Sequence, residues 1–372
     1  MDSLLESIMV GRISVSYEIT ISSSKFSYNI SDELDLRDHA RGKLIYLCDS
    51  KVLEVANQIL SLDKNFISIE ISESTKSLEG LEEVLLGLAK FGANREDCLV
   101  VVGGGALQDI ATMAASIYMR GIDWIYVPTT LMSMLDSCIG GKSSLNLGGF
   151  KNLLGNYYPP KKIIVNTNFI DTLTNTDVAS GISEGVKICF AAGIEDAIAF
   201  QKLINNWQNS RDKAFLKEGI FLSLRKKKYF VEIDEFDKRE RRLLNFGHSF
   251  GHALEAASEY KIPHGIAVFV GMQAAILRSK NNEPCEFLST WIKSQVNEFI
   301  FDFPVFTIEK DKFLQSLASD KKNTSKYQIL ILPNTEGRLE EISFELSDSN
   351  LELCTQSLIT SLDMLGFKYE IL

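Results

Sequence analysis

The run Cys98-Leu99-Val100-Val101-Val102 passes without a polar residue into Gly103-Gly104-Gly105, and a helical pattern opens at Ala106-Leu107-Gln108-Asp109. An unbroken apolar run suits a strand covered on both faces, as in a parallel sheet, better than the alternating strand of a half-exposed sheet. Glycines then let the backbone turn tightly into the helix. The same rhythm surrounds this unit. Strands are expected at Lys43–Cys48, Phe66–Glu70, Leu99–Val102, Trp124–Val127 and Ile163–Asn166, and helices at Val52–Leu60, Leu78–Phe91 and Ala106–Tyr118. Such βαβ alternation predicts an α/β domain with a parallel-rich sheet. Ser14–Ile30 alternates polar and apolar residues and fits an antiparallel hairpin at the sheet edge.

Beyond about Asn168 the texture changes. Asp177–Cys189, Ala197–Trp207, Phe215–Val231, Arg241–Glu259 and Ile266–Lys280 carry helical periodicity with little strand signal. The 372 residues therefore divide into an α/β domain, 1–167, and a mainly helical domain, 168–372, with a hinge region near Thr167–Thr176. Each is large enough to enclose its own core.

Lysine and arginine number 39 against 49 acidic residues, a net charge of −10. That balance argues against general attraction to nucleic acid or an anionic membrane, so an anionic substrate needs a local basic cluster. No apolar run approaches the roughly 20 residues of a membrane span. The opening MDSLLESIMVGRIS lacks a basic segment followed by a sustained apolar one, so a soluble cytoplasmic protein is expected. Cys48, Cys98, Cys138, Cys189, Cys285 and Cys354 are scattered singly without CxxC spacing, and read as small buried hydrophobes in a reducing compartment.

Chemistry concentrates at a few places. A strand, a glycine turn and a helix start place bare backbone amides at the positive end of a helix, which suits a pyrophosphate, although a tight structural turn explains three glycines too. The spacing is not GxGxxG, so an ordinary Rossmann dehydrogenase does not fit. Pro128-Thr129-Thr130 and Asp49 close neighbouring strands and could face the same ligand or serve only as turn residues. Three of the four histidines, His248, His252 and His264, fall within seventeen residues. In RRLLNFGHSFGHALE, Arg241, Asn245, His248 and His252 follow i, i+4, i+7, i+11 spacing and would form one stripe on a continuous helix. Imidazoles with one carboxylate make a common zinc set, and Glu184 in GISEGVK, with Lys187 at i+3, is the carboxylate candidate. A hydrogen-bonded histidine cluster is the alternative. Arg120, Lys142, Lys187, Lys227 and Lys321 lie near these motifs and suggest an anion pocket.

The ordered words GGGALQD, YMRG, VPTTLMSMLDSCIGGKSSLN, FKNLLGNYYPP, SGISEGVK, RRLLNFGHSFGHALE, IPHGIAV and DKKN make the chain resemble 3-dehydroquinate synthase and its sugar-phosphate cyclase relatives from Asp49 to Lys321. The resemblance implies a two-domain lyase with NAD in a cleft, a divalent metal, zinc or cobalt, and a homodimeric assembly. It implies Glu184, His248 and His264 as metal ligands, with His252 turned to substrate. It assigns Asp49, Glu73, Lys76, Gly104, Gly105, Asp109, Thr129 and Thr130 to the cofactor. Asp136, Lys142, Asn152, Lys187, Lys227, Arg241, Asn245, His252 and Lys321 would surround the substrate, and Arg120 would reach the neighbouring subunit's site.

The implied reaction converts 3-deoxy-arabino-heptulosonate 7-phosphate to 3-dehydroquinate and phosphate by transient oxidation, phosphate elimination, reduction and aldol closure. Retention of both Lys227 and Arg241 favours this carboxylated substrate, because a guanidinium grips a carboxylate through two parallel hydrogen bonds. A cyclase acting on another substrate, such as sedoheptulose 7-phosphate, and a metal-dependent polyol dehydrogenase are the alternatives. Two positions depart from the family's pattern: Gln108 stands where glycine is usual, and Ile266 where an acidic residue is usual. The first is expected to alter the turn beside NAD and the second to remove a partner of the metal site.

Overall fold

The computed structural model describes residues 6–10, 17–23, 41–60, 66–148, 150–279, 283–320 and 322–372. By contacts they form two compact units, Met1–Leu173 with Asn206–Glu235, and Thr174–Asn205 with Phe236–Leu372.

The first unit contains strands β1 (Glu6–Val10), β2 (Tyr17–Ser22), β3 (Leu44–Asp49), β4 (Phe66–Ile69), β5 (Cys98–Gly103), β6 (Asp123–Pro128), β7 (Leu145–Leu147), β8 (Phe150–Leu154) and β9 (Lys162–Asn166). Helices α1 (Leu53–Leu60), α2 (Leu78–Lys90) and α3 (Gly105–Ile117) alternate with them. One seven-stranded sheet runs in the order β1-β2-β9-β6-β5-β3-β4. Every neighbouring pair is parallel except β1–β2. Every residue of β5 is buried, as its unbroken apolar run requires. The edge hairpin expected within Ser14–Ile30 is partly displaced: β2 pairs antiparallel with β1, which precedes it, and residues 24–30 lie outside the described residues. β7 and β8 form a separate hairpin that returns to α3 through Asp109.

The second unit begins with α4 (Asn175–Ala192), opened by a capping box in which Thr174 and Asp177 satisfy each other's backbone N–H groups. Helix α5 (Ile194–Ser210) follows. Helix α6 (Lys213–Ile233), capped by Asp212, belongs to the first unit, where Ser223 Oγ donates to the Leu135 carbonyl at 2.9 Å. The remaining helices are α7 (His248–Ala257), α8 (His264–Arg278), α9 (Glu286–Asn297), α10 (Lys310–Ala318) and α11 (Asp348–Leu365). Short strands β10 (Phe306–Ile308), β11 (Tyr327–Pro333), β12 (Leu339–Glu345) and β13 (Tyr369–Ile371) pair as β10–β13 and β11–β12, which the helical texture of this half did not suggest.

One expected helix is not continuous. Glu240–Asn245 is a 3-10 turn, and α7 starts only at His248, because Gly247 between them adopts φ +78. A side chain is strained at that φ, and a Cβ there would lie 2.6 Å from the Met272 nitrogen. Arg241 and Asn245 thus leave the helical stripe that carries His248 and His252. All six cysteines are buried. Among the described residues no helix is long and apolar enough to cross a membrane.

Candidate functional site

In the second unit three helices bring their polar residues to one point. Glu184 lies mid-way along α4, His248 opens α7 and His264 opens α8. Close helix packing makes this convergence possible. A Cβ on Gly265 would sit 2.2 Å from the Ser180 carbonyl oxygen of α4, and one on Gly271 would sit 2.0 Å from the Gly247 carbonyl oxygen at the start of α7. Only glycine lets these backbones approach so closely.

Glu184 Oε1 stands 3.2 Å from His264 Nε2 and 3.6 Å from His248 Nε2. Lys187, one turn along α4, pairs with the other oxygen. The carboxylate is 1% exposed, and neither oxygen has an aligned hydrogen bond. His252 is exposed and its ring stacks on His264 at 5.5 Å, while His248 lies 5.1 Å from His252. One nitrogen from each of the three imidazoles falls within 4.8 Å of the others.

Burial alone would raise the Glu184 carboxyl, but the Lys187 ammonium and His264 outweigh it and hold the group below the usual carboxylate range. Burial pushes His248 well below its ordinary value, assisted by Lys187 and the other imidazoles, so it is neutral with a lone pair to offer. Burial opposes charge on His264 as well, yet its contacts with Glu184 and Glu255 raise it to about 10.

A neutral imidazole, a second imidazole and a buried carboxylate with unaligned oxygens fit a divalent metal of the zinc class. The spare nitrogens are also held: His264 Nδ1 meets Glu255 Oε2 at 3.0 Å and His248 Nδ1 meets the Phe246 carbonyl at 3.3 Å. A carboxylate on the far nitrogen orients an imidazole toward a metal. Glu255 supplies the carboxylate expected to be missing at Ile266, which is instead fully buried in the core. The sequence does carry a signal for it, since His248, His252 and Glu255 are spaced i, i+4, i+7. Glu255→Ala should weaken zinc binding by about 10–100-fold, read by competition with a chelator. Unchanged affinity would reduce the contact to packing.

Arg241 is buried in the 3-10 turn before α7, and Asn245 donates from Nδ2 to the Arg242 carbonyl at 3.0 Å. Arg242 in turn ties this turn to β12 through Glu341 at 3.0 Å. Lys321 lies outside the described residues; its neighbour Asp320 accepts from Ser249 Oγ of α7 at 2.8 Å and from Lys322 Nζ at 2.7 Å.

In the first unit, Gly104 is the N-cap of α3 and, having no side chain, caps none of the first amides of the helix. A Cβ on Gly104 would lie 2.9 Å from Thr130 Cγ2, and one on Gly105 would meet only Ser137 Oγ at 3.5 Å. This bare helix start suits a pyrophosphate and fits a dinucleotide. Thr129 N donates to the Gly103 carbonyl at 3.0 Å, and Thr130 Oγ1 bonds Ser133 Oγ at 2.7 Å. Asp49 closes β3 and accepts from Lys51 N at 3.0 Å.

Gln108 does not disturb the turn. Its backbone N–H keeps the helical bond to the Gly104 carbonyl at 3.0 Å, and its side chain exchanges two 2.8 Å hydrogen bonds with Ser137. Lys76 Nζ pairs with Asp109 Oδ2 at 2.7 Å and donates to Asn152 Oδ1 at 2.6 Å, while Glu73 Oε1 accepts from Asn146 Nδ2 at 2.9 Å. Lys227 of α6 reaches the Asp136 carbonyl at 2.6 Å and pairs with its carboxylate. The Lys142 side chain is exposed, as is Arg120, where Met119 and Arg120 take φ +47 and +69.

Solved structures of sugar-phosphate cyclases share this fold. A 2-epi-5-epi-valiolone synthase from Streptomyces hygroscopicus subsp. jinggangensis 5008, solved with NAD+ and Zn2+ bound, is similar with a TM-score of 0.78 at 24% identity, over 94% of this chain and 97% of that one. A 2-deoxy-scyllo-inosose synthase, solved with carbaglucose-6-phosphate, NAD+ and Co2+, is similar with a TM-score of 0.75 at 19% identity, over 95% and 99%.

The sequence is more specific. Residues 66–180 match the 3-dehydroquinate synthase N-terminal family model and residues 181–323 the C-terminal one. The 3-dehydroquinate synthase of Streptococcus equi subsp. equi (strain 4047) is 33% identical over 306 residues, 79% of this chain and 83% of that protein. The chain belongs to the 3-dehydroquinate synthase family, whose enzymes are phosphate-eliminating cyclases, carbon–oxygen lyases.

Proposed function

We propose that the chain is a 3-dehydroquinate synthase proper, which converts 3-deoxy-arabino-heptulosonate 7-phosphate to 3-dehydroquinate and inorganic phosphate. The observation that carries the reading is the meeting of Glu184, His248 and His264 from three helices, in a chain that retains both Lys227 and Arg241.

Glu184, His248 and His264 would hold the metal, and Asp49, Glu73, Lys76, Gly104, Gly105, Asp109, Thr129 and Thr130 the NAD. When bound, the two supply Lewis acidity at a ring carbinol and a hydride acceptor restored within each turnover. The protein's own side chains do the rest. Lys187 keeps Glu184 ionised. Lys142, Asn152, Asn245, His252 and Lys321 cradle the phosphate, stabilising it as it departs with the electrons of the broken C–O bond. The departing phosphate itself takes the proton lost from the adjacent carbon. Arg241 and Lys227 grip the carboxylate, beside Asp136, and Arg120 serves the neighbouring site of a cytoplasmic homodimer.

Phosphate release from the sugar acid, from sedoheptulose 7-phosphate and from glucose 6-phosphate, with NAD and zinc present and NADH absorbance followed, tests the reading. Release from the sugar acid alone, with no net NADH, is expected. Preference for sedoheptulose 7-phosphate would make the chain a cyclase of another substrate class, and accumulating NADH would make it a polyol dehydrogenase. Arg241→Ala should lower kcat/KM for the sugar acid by at least about 100-fold, the scale of a charged hydrogen-bonded pair, while zinc stays bound. Near-normal turnover would remove the carboxylate role.

A further inference from the structure

Asp136 lies inside the short turn Ser133–Ser137 of the first unit, and the backbone on both sides of it is held by a side chain. On one side the Leu135 carbonyl accepts from Ser223 Oγ of α6 at 2.9 Å. On the other the Ser137 carbonyl accepts from Gln108 Nε2 of α3 at 2.8 Å, and Ser137 Oγ donates back to Gln108 Oε1 at 2.8 Å. Ser223 and Lys227 are spaced i, i+4 on α6, so the face that holds Leu135 also delivers Lys227 to the Asp136 carbonyl and carboxylate. Gln108 is 3% exposed, and both ends of its amide are met by Ser137, as burial demands. Two bonds fix the orientation of Ser137 where one would leave a pivot.

We propose that Gln108 is a positioning residue for substrate recognition: by clamping Ser137 it sets the Asp136 backbone and, through Asp136, the Lys227 ammonium that meets the substrate carboxylate. The inference rests on the roles proposed above for Asp136 and Lys227. That carboxylate is unchanged by the reaction, so a grip on it holds the ground state and the transition state alike. Loosening Lys227 therefore raises KM and leaves kcat nearly native. The phosphate cradle and the start of α3 lie outside this chain of contacts. The backbone bond from Gln108 N to the Gly104 carbonyl, at 3.0 Å, does not depend on the side chain at all.

The test uses the full chain with zinc and NAD, comparing the unsubstituted protein with Gln108→Met, Ser137→Ala and the double variant. KM and kcat are measured on the sugar acid, NAD affinity is titrated, and inorganic phosphate as a competing inhibitor probes the phosphate cradle. Gln108→Met keeps the volume and loses both hydrogen bonds, so KM should rise by about 10-fold, the scale of two neutral hydrogen bonds. Ser137→Ala loses one of them and should raise KM by about 3-fold. Beside Gln108→Met it should add nothing, because the two side chains act as one unit. The values of kcat, NAD affinity and phosphate inhibition should stay native. An unchanged KM in Gln108→Met, or additive effects in the double variant, overturns the proposal. A joint fall of kcat, NAD affinity and phosphate binding overturns it too, and would make Gln108 merely structural. Should Gln108→Met fail to fold, Ser137→Ala decides by the same readouts. Failure of the unsubstituted chain to release phosphate from the sugar acid would instead remove the reading beneath it.

Discussion

Glu184→Ala should destabilise the second unit by about 3–5 kcal/mol, because it removes the carboxylate paired with the Lys187 ammonium, which is 3% exposed. Zinc binding should weaken with it, since the site loses its anionic ligand candidate and keeps imidazoles alone. The double variant Glu184→Ala/Lys187→Met separates the two effects. Removing both charges should recover most of the stability, as buried ion pairs contribute little net against apolar groups of similar volume, but should not recover zinc. Urea unfolding and chelator competition read the two quantities. A single variant as stable as the native protein would mean that Lys187 finds another counter-charge, and the centre would have to be redrawn.

Gly265→Ala is the second large expected effect. The new methyl group would meet three backbone atoms of Ser180 at 2.2, 2.4 and 2.6 Å, and neither helix can yield by rotating a side chain. Helices α4 and α8 must separate, at a cost of about 3 kcal/mol, the upper end of overpacking penalties. The separation also draws His264 away from Glu184, so zinc affinity should fall by about 10–100-fold, as when a ligand loses its orientation. Thermal unfolding with and without zinc checks both. A variant with the native midpoint would show that the helices do not pack so closely.

The α/β half was readable because its signals are local. Cys98–Val102 is apolar at every position, which only a strand covered on both faces tolerates, and β5 is buried throughout. The histidine region was half readable. His248 and His252 share α7 as their spacing implies, whereas Arg241 and Asn245 do not, because Gly247 at φ +78 interrupts a pattern that periodicity alone carries straight through. The glycine in NFGH was the clue, and a periodicity count passes over it. Ile266 suggested a metal site lacking a carboxylate partner; Glu255, a turn further along α7 than His252, fills that role across the helix contact. Gln108 likewise suggested a disturbed turn, and only its exchange of hydrogen bonds with Ser137 shows how the larger side chain is accommodated.

The amino-acid order by itself determined the residue types of the centre, the strand–glycine–helix turn and the family, because these depend on composition and spacing within short windows. Tertiary structure decided which of those residues meet. Glu184, His248 and His264 sit on separate helices, and their separation is set by glycine contacts such as Gly265 against Ser180 and Gly271 against Gly247. Ser144 gains its place only when the β7–β8 hairpin folds back to Asp109. Distances between elements depend on how their surfaces interlock, a property of pairs of segments far apart in the chain, and no local pattern encodes it.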